Sequence, residues 1–251
     1  MSKNKLAKFA EIATFPHVFQ VSSNEILSGK TFDFQGNWNK NVFKNTNPIV
    51  VELGCGKGEY TVELAARYPD HNFIGVDIKG ARIWTGAKRS FEAKMKNVAF
   101  IRTDIEMISR FFAPAEVSEI WLTFPDPQMK KTNKRLTSTN FMKRYQQFVE
   151  NEGIIHLKTD SNFLFIYTKE MIKANDYQVI TAIDDLYANA EAQNYSPLCE
   201  IQTFYEKQWL HRGISIKYIA FKLTEKQKFI EPQIEIEKDA YRSFGRNAKL
   251  T

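Results

Sequence analysis

The residues best suited to chemistry in this sequence begin with an acid followed by three alternating glycines. Glu52 ends an apolar run and precedes Leu53-Gly54-Cys55-Gly56-Lys57-Gly58. Glycine permits positive φ angles and lets a ligand approach the backbone, but the G-x-G-x-G spacing differs from the G-x-G-x-x-G of a dinucleotide site. A carboxylate beside such a loop suits a cationic ligand, and S-adenosylmethionine, with its sulfonium and ammonium groups, fits that requirement. An ordinary strand-to-helix turn is the alternative.

Two further acids follow predicted strands, where a doubly wound fold binds its ligand. Asp77 lies 19 residues after Gly58 and is placed to accept hydrogen bonds from ribose hydroxyls. Asp104 ends the next strand and can accept from an exocyclic amine such as that of adenine. Either acid alone could instead cap a helix, but the occurrence of Glu52, Asp77 and Asp104 at three successive strand ends favours a cofactor site.

A fourth acid, Asp126, stands between two prolines in the sequence Phe124-Pro125-Asp126-Pro127. Proline fixes φ and restricts the residue before it, so this carboxylate is held rigidly at the end of a strand. Rigidity of this kind suits a group that positions a substrate. A proline-rich turn without a function is the alternative.

A basic run follows Asp126, with no acid before Glu150. Its members are Lys130, Lys131, Lys134, Arg135, Lys143 and Arg144. A charge run is usually a solvated surface, but this one adjoins the predicted site and would attract a polyanion such as a nucleic acid. The whole chain has a net charge of +6, which is a mild bias in the same direction.

Alternating strand and helix patterns position these residues. Strands are predicted at 48–53, 72–76, 98–101, 119–124, 153–157, 177–181 and 214–223. Helices are predicted at 57–68, 80–95, 162–174, near 198–211, and from an N-cap at Ser138 to residue 149. This order predicts an α/β fold: a Rossmann-like, doubly wound, mostly parallel sheet of about seven strands, with the last strand antiparallel and helices on both faces.

Composition limits the class of protein. The two cysteines of the 251-residue chain are far apart and have no metal-ligand spacing, which predicts neither a disulfide framework nor a metal site and favours a reducing cytoplasm. No apolar stretch reaches the ~18 residues that a bilayer requires, and the N-terminus lacks the apolar region of a signal peptide. We therefore expect a cytoplasmic protein that has no membrane partner.

Several motifs together resemble one known family, the bacterial tRNA (guanine-N7)-methyltransferases. The resemblance covers about residues 48–223. The motifs that carry it are E-x-G-x-G-x-G at 52–58, Asp77, Asp104, F-P-D-P-x-x-K-K at 124–131, Lys134-Arg135-Leu136, Leu157-Lys158-Thr159-Asp160, Thr203-Phe204-Tyr205-Glu206 and Gly213. The F-P-D-P block and the T-x-Y-E block together are specific to the family, whereas the glycine loop alone is not.

The resemblance implies an activity and a role for each matched residue. The activity is methyl transfer from S-adenosylmethionine to N7 of a guanine in the tRNA variable loop. The residues implied to hold the cofactor are Glu52, Gly54, Gly56, Asp77, Asp104 and Asp126; Asp126 is also implied to be the catalytic carboxylate. The residues implied to bind the substrate are Lys130, Asp160, Thr203, Phe204, Tyr205 and Glu206.

The chemistry of guanine suggests how Asp126 would act. N7 has a lone pair in the ring plane and no proton, so its attack on a methyl group needs no base. A carboxylate can accept from the N1–H and 2-amino donors of guanine and can stabilise the positive charge that methylation leaves on the base. We therefore predict that Asp126 orients the guanine and stabilises the positive charge that develops on it, rather than acting as a base. Two alternative functions remain open: another RNA base methyltransferase on the same fold, or a non-catalytic RNA-binding module.

The sequence also predicts three segments. Residues 1–46 form a basic, aromatic N-terminal arm, residues 47–223 the methyltransferase domain, and residues 224–251 a charged C-terminal tail of undefined role. The arm is expected either to contact nucleic acid or only to pack on the domain. The sequence leaves open whether the protein is a monomer or a homodimer.

Overall fold

A computed structural model describes residues 3–189 and 197–243 of the chain. The described residues fall into two compact units. The first unit contains the residues up to Trp121 together with Gln147–Glu150, and the second contains Leu122–Gln146 and the residues from Asn151 onward. Each unit is described separately below.

The first unit is built on a parallel sheet. Its strands are β1 (Val18–Gln20), β2 (Ile49–Leu53), β3 (Asn72–Asp77), β4 (Val98–Arg102) and β5 (Val117–Thr123, whose last two residues belong to the second unit). Its helices are α1 (Lys3–Ile12), α2 (Ser23–Leu27), α3 (Glu59–Arg67) and α4 (Gly80–Glu92), with a π-helix at Trp38–Phe43 and a 3₁₀ helix at Ile105–Arg110. The strand order is β1-β4-β3-β2-β5, and each paired neighbour is parallel. Every residue of β2 and β3 is buried, as expected for central parallel strands.

The N-terminal residues supply part of this unit. Strand β1 pairs with β4, with Val18 opposite Phe100, and it is an addition to the strands predicted from the sequence. Three residues are too few to show an alternating pattern, which explains why it was not predicted. Trp38 is fully buried and its Nε1 donates to the Phe111 carbonyl oxygen at 2.9 Å. Phe15, Phe32 and Phe43 are buried as well, so much of the aromatic content of this segment packs in the core of the unit.

The second unit contains an antiparallel group of strands. Its strands are β6 (Val149–Thr159, whose first two residues belong to the first unit), β7 (Val179–Ile183) and β8 (Lys217–Leu223). Its helices are α5 (Thr139–Tyr145), α6 (Asn162–Ala174) and α7 (Phe204–His211), with 3₁₀ helices at Thr132–Lys134 and Ala240–Ser243. Strand β8 is antiparallel to both β6 and β7. The predicted fold class, including the antiparallel last strand, is confirmed.

Capping residues set the helix boundaries in this unit. Ser138 caps α5 as predicted, accepting a hydrogen bond from Phe141 N, but the helix ends at Tyr145 because β6 begins at Val149. Helix α6 has the predicted bounds. Helix α7 begins later than predicted because Thr203 is its N-cap.

Among the described residues, no helix is long and apolar enough to cross a membrane.

Candidate active site

The glycine loop between β2 and α3 is shaped by positive φ angles. Gly54, Gly56 and Gly58 have φ values of 81°, 56° and 69°, which other residues adopt only under strain. Gly54 N donates to the Val76 carbonyl oxygen at 2.8 Å, so the loop begins against the end of β3. A Cβ on Gly58 would lie 2.8 Å from the Phe100 ring, which adds a packing reason for glycine there. The loop therefore has partly exposed backbone at Gly54 and Gly56, without a Cβ at either position.

Glu52 is buried directly before this loop, with 3% of its surface exposed. Its Oε2 accepts hydrogen bonds from Thr61 N at 2.9 Å and from Thr61 Oγ1 at 2.5 Å. Thr61 lies in the first turn of α3, where backbone N–H groups favour a negative charge. Glu52 therefore fixes the start of α3 against the end of β2 and sets the shape of the loop between them.

Asp77 performs a similar task from β3. Its Oδ2 accepts a hydrogen bond from Gly56 N at 3.0 Å, and its Oδ1 accepts one from Lys79 N at 2.7 Å. Because a carboxylate has about four lone-pair sites, these two bonds leave acceptor capacity for a ribose. The structure therefore brings two of the predicted cofactor residues, Gly56 and Asp77, into direct contact.

Asp104 has the capping role weighed from the sequence, and its contact with an adenine stays a prediction. It is the N-cap of the 3₁₀ helix Ile105–Arg110, accepting a hydrogen bond from Glu106 N at 3.0 Å. It also lines an open pocket of about 330 Å³ within the first unit. The other lining residues are Gln20, Val21, Ser22, Ser23, Glu25, Ile78, Arg102 and Thr103. The N-terminal members were not predicted to be near a site, although Ser22-x-x-Glu25 is a capping-box signal in the sequence.

Cys55, between two of the glycines, has no nucleophilic character. Burial raises the pKa of its thiol well above the usual range, and the nearby charges of Glu52 and Asp77 raise it further. The thiol therefore stays protonated at neutral pH. This agrees with a filling role in a loop flanked by two carboxylates.

In the second unit, Asp126 occupies a strained loop after β5. Phe124 and Gln128 both have positive φ values, 51° and 46°, and non-glycine residues in such conformations cost about 1–3 kcal/mol each. Pro125 and Pro127 are buried while Asp126 is exposed. Asp126 Oδ1 accepts a hydrogen bond from Gln128 N at 2.9 Å, which fixes the carboxylate within the loop. Strain retained around one exposed acid supports a functional role for that acid.

The basic run after Asp126 is divided between surface and interior. Lys130, Lys131 and Lys134 are exposed. Arg135 is 7% exposed, and its guanidinium donates to the Gln128 and Met129 carbonyl oxygens at 3.2 and 3.1 Å. It also lies over the rings of Phe163 and Tyr167, at 4.8 and 4.4 Å from their centroids. Arg135 therefore fastens the loop, and the three lysines remain as its exposed cations.

The T-x-Y-E block forms a capping box. Glu206 N donates to Thr203 Oγ1 at 3.1 Å, and Thr203 N donates to Glu206 Oε2 at 3.3 Å. This reciprocal pair begins α7, and the T-x-x-E spacing is its signal in the sequence. Phe204, by contrast, is 45% exposed, and Tyr205 is half-buried. Within the block, Phe204 and Tyr205 therefore offer surface, while Thr203 and Glu206 set the direction of the helix.

Glu206 belongs to a fully buried ion pair. Lys158 Nζ lies 2.6 Å from Glu206 Oε1, and both side chains are 0% exposed. Lys158 also donates to the Leu198 and Ile201 carbonyl oxygens, and Tyr187 Oη donates to Glu206 Oε1 at 2.7 Å. Burial lowers the pKa of Lys158 and raises that of Glu206, while the attraction between the two opposes both shifts. The pair joins β6 to α7 and to the segment before it.

Asp160 follows β6 directly, as Asp126 follows β5. Phe124 N donates to the Lys158 carbonyl oxygen at 2.8 Å, so these two strand ends are adjacent. Asp160 is only 1% exposed, and Tyr241 Oη lies 2.9 Å from both its Oδ2 and its carbonyl oxygen. Tyr241 was not singled out from the sequence, and no local motif marks it.

The chain is similar to known methyltransferases in sequence and in fold. A sequence model of the family described as "Putative methyltransferase" matches residues 46–219. The tRNA (guanine-N(7)-)-methyltransferase of Bacteroides fragilis is 58% identical over 249 residues, covering 99% of this chain and 97% of that protein. The corresponding enzyme of Porphyromonas gingivalis is 53% identical over 238 residues, covering 94% of this chain and 97% of that protein. A solved structure, 16S rRNA methyltransferase KamB, has a TM-score of 0.58 at 9% identity, covering 78% of this chain and 95% of that one, and shows similarity of fold alone.

Proposed function

Because the chain belongs to the tRNA (guanine-N(7)-)-methyltransferase family, we propose that it transfers a methyl group from S-adenosylmethionine to N7 of a guanine in the variable loop of tRNA. We further propose that it does so in the cytoplasm. The observation that carries the proposal is the strained loop at Phe124–Gln128, which presents one exposed carboxylate at the end of β5. A module that only bound RNA would have no need to hold an acid in this way.

The first unit has groups that suit S-adenosylmethionine. Gly54, Gly56 and Gly58 leave three positions of the loop without side chains, and Glu52 and Asp77 place negative charge beside it. Bound there, the cofactor supplies an electrophilic methyl group on a positively charged sulfur. We assign Asp77 to the ribose hydroxyls and Asp104 to the adenine edge. Glu52 acts by fixing the loop and by adding negative charge near a cationic ligand.

In the second unit, Asp126 acts on the guanine. Its carboxylate accepts hydrogen bonds from N1–H and the 2-amino group, which orients N7. Orientation of reacting groups can supply up to ~7–11 kcal/mol of a barrier. As the methyl group is transferred, positive charge develops on the base and Asp126 stabilises it. No proton has to leave N7 before it attacks.

The remaining substrate residues divide into contacts and supports. Lys130 is exposed and suits a phosphate of the tRNA, and Phe204 and Tyr205 offer aromatic surface on which bases can stack. Thr203 and Glu206 support these rings through the capping box and the ion pair with Lys158. Asp160 takes part through its contact with Tyr241.

The direct test is product identification. The full chain is incubated with S-adenosylmethionine and an unmodified tRNA transcript, and the product is digested and analysed for N7-methylguanosine. We expect this nucleoside at one position of the variable loop, and none with a transcript in which that guanine is replaced by adenine. Methylation of another base would favour another RNA methyltransferase, and tight tRNA binding without transfer would favour a non-catalytic module.

A further inference from the structure

The described part of the C-terminal segment, residues 224–243, is fastened to the second unit by reciprocal hydrogen bonds, and we name it the C-terminal strap. Gln146 Nε2 donates to the Lys226 carbonyl oxygen at 3.0 Å, and Lys226 N donates back to Gln146 Oε1 at 2.8 Å. Asn175 forms the same pair with Ile230, at 2.8 Å in both directions. These bonds satisfy backbone groups that would otherwise need secondary structure.

The strap reaches the junction between β6 and α6. Asp239 is buried and accepts hydrogen bonds from Ser161 Oγ and, at 3.0 Å, from Phe163 N. An acid in this place is favourable because the N–H groups of the first turn of α6 carry partial positive charge. Tyr241 Oη lies 2.9 Å from both Asp160 O and Asp160 Oδ2. Two adjacent residues, Asp160 and Ser161, are thus held by two residues of the strap.

Tyr241 also contacts α7, the helix that carries Phe204 and Tyr205. Its ring meets that of Trp209 edge to face, with the centroids 5.6 Å apart. Arg212 Nη2 donates to the Tyr241 carbonyl oxygen at 3.4 Å, and the Arg212 guanidinium lies 4.9 Å from the Trp209 ring centroid. A single tyrosine therefore touches both the acid after β6 and the helix with the exposed aromatic rings.

We infer that Tyr241 is a positioning residue for tRNA binding, and this inference rests on the function proposed above. Its hydroxyl orients Asp160, and its ring and carbonyl group hold α7, so Asp160 and the Phe204–Tyr205 surface are fixed relative to each other before tRNA arrives. Holding binding groups in advance lowers the entropy cost of binding. Asp160 is 1% exposed and its Oδ2 accepts from Tyr241, so the two residues act as one unit.

A removable lid is the competing role for the strap, and the contacts disfavour it. Opening would break the contacts of Tyr241 with Asp160. It would also remove the Asp239 acceptor from Ser161 Oγ and Phe163 N. Breaking several buried polar contacts for each catalytic cycle is costly. The strap therefore acts as a fixed part of the tRNA-binding unit.

The test compares Tyr241→Phe, Asp160→Ala and the double variant in the full chain. For Tyr241→Phe we expect the KM for tRNA to rise by about 3- to 10-fold, the scale of one hydrogen bond, with kcat and the Kd of S-adenosylmethionine nearly unchanged. The double variant should be no worse than Asp160→Ala alone, because residues that act as one unit are not additive. Tyr68→Phe, at an exposed tyrosine of the first unit, is the matched control and should behave as wild type.

Each other outcome overturns the inference. A KM for tRNA equal to that of wild type, or additive losses in the double variant, would show that Tyr241 does not act through Asp160. An increase in activity would show that the strap is a lid. Equal losses in tRNA and cofactor binding, together with a lower unfolding midpoint, would show a merely structural role. If wild type itself produces no N7-methylguanosine in the same assay, the proposed function fails instead.

Discussion

In the first unit the site carboxylates accept hydrogen bonds from backbone N–H groups close in the chain: Glu52 from Thr61, Asp77 from Gly56, and Asp104 from Glu106, at separations of 9, 21 and 2 residues. In the second unit Asp126 also accepts from a nearby backbone group, Gln128 N, but Lys158 and Asp160 depend on groups far along the chain. Lys158 donates to the Leu198 carbonyl oxygen 40 residues away, and Asp160 accepts from Tyr241 81 residues away. Short-range bonds of this kind suit the proposed site for a small cofactor, whereas long-range bonds suit the proposed surface for a macromolecule.

The largest expected effect, a loss of folding stability, comes from breaking the Lys158–Glu206 ion pair at the centre of the long-range network. Lys158→Met leaves Glu206 as a buried charge without its ion-pair partner, and losses of this type are about 3–5 kcal/mol. We expect the free energy of unfolding, measured by urea denaturation, to fall by that amount. Lys158→Met with Glu206→Gln removes both charges and keeps an acceptor for Thr203 N, so it should restore much of the loss. A double variant as unstable as the single one would contradict this account of the pair.

The pH dependence of that loss has a definite sign. Burial already raises the pKa of Glu206 above 4.5, and removing Lys158 takes away the main group that lowers it. A carboxyl group with a raised folded-state pKa binds its proton more tightly in the folded state, so its stability contribution is present below the unfolded value and is lost as the pH rises through the folded value. The difference in stability between Lys158→Met and wild type should therefore narrow as the pH is lowered toward 4.5.

Asp126→Asn tests the chemistry of the second unit without breaking its network. Asparagine keeps an acceptor for Gln128 N, so the loop should keep its shape, but it loses the negative charge and presents an NH₂ group to the donors of guanine. We expect the single-turnover rate to fall by about 10²–10³-fold, the range for one preorganised electrostatic group. Asp33→Asn, at an exposed acid of the first unit, should leave the rate unchanged.

The pH profile separates an orienting acid from a base. Guanine N7 loses no proton, so the wild-type rate should be flat between about pH 6 and 8 once stability is taken into account. A tenfold rise per pH unit in this range, absent in Asp126→Asn, would show that the residue is a general base and that the proposed mechanism is wrong.

A smaller effect is expected in the short-range network of the first unit. Asp77→Ala removes the acceptor of Gly56 N and Lys79 N and the group assigned to the ribose. Binding of S-adenosylmethionine, measured by calorimetry, should weaken by about 1–3 kcal/mol, the scale for hydrogen bonds to a charged group. The affinity for tRNA should change little. Wild-type cofactor affinity in this variant would remove Asp77 from the site.

The same contrast explains what the sequence could predict. The glycine loop, the cap at Ser138 and the bounds of α6 depend on neighbouring residues, and all three agree with the structure. The T-x-x-E spacing at Thr203 could have given the start of α7, but the apolar pattern before it extended the prediction toward residue 198. The burial of Arg135 and the contact between Tyr241 and Asp160 depend on chain segments brought together only by folding, so no pattern in the sequence shows them.

The smallest expected effect concerns the exposed cations after Asp126. Lys130→Ala combined with Lys134→Ala should raise the Kd for tRNA and reduce the slope of log K against log salt concentration, by about one phosphate contact per lysine. The Kd of S-adenosylmethionine should not change. Lys96 and Lys173 are also exposed, and replacing both by alanine changes the net charge by the same amount, which makes them the matched control.

Arg135 sharpens this last test because it belongs to the same run but is buried. Arg135→Met should leave the salt slope nearly unchanged. The guanidinium is engaged by the Gln128 and Met129 carbonyl oxygens and by two aromatic rings, so we expect it to make no phosphate contact. It should instead lower the free energy of unfolding, because the Met129 carbonyl oxygen loses the guanidinium donor, whereas the Gln128 carbonyl oxygen keeps Lys131 N as a donor. If Arg135→Met flattens the salt slope as much as the two lysines do, the run acts as one tRNA-binding surface. If the lysine pair behaves like Lys96 and Lys173, charge in this loop acts only through the overall field of the protein.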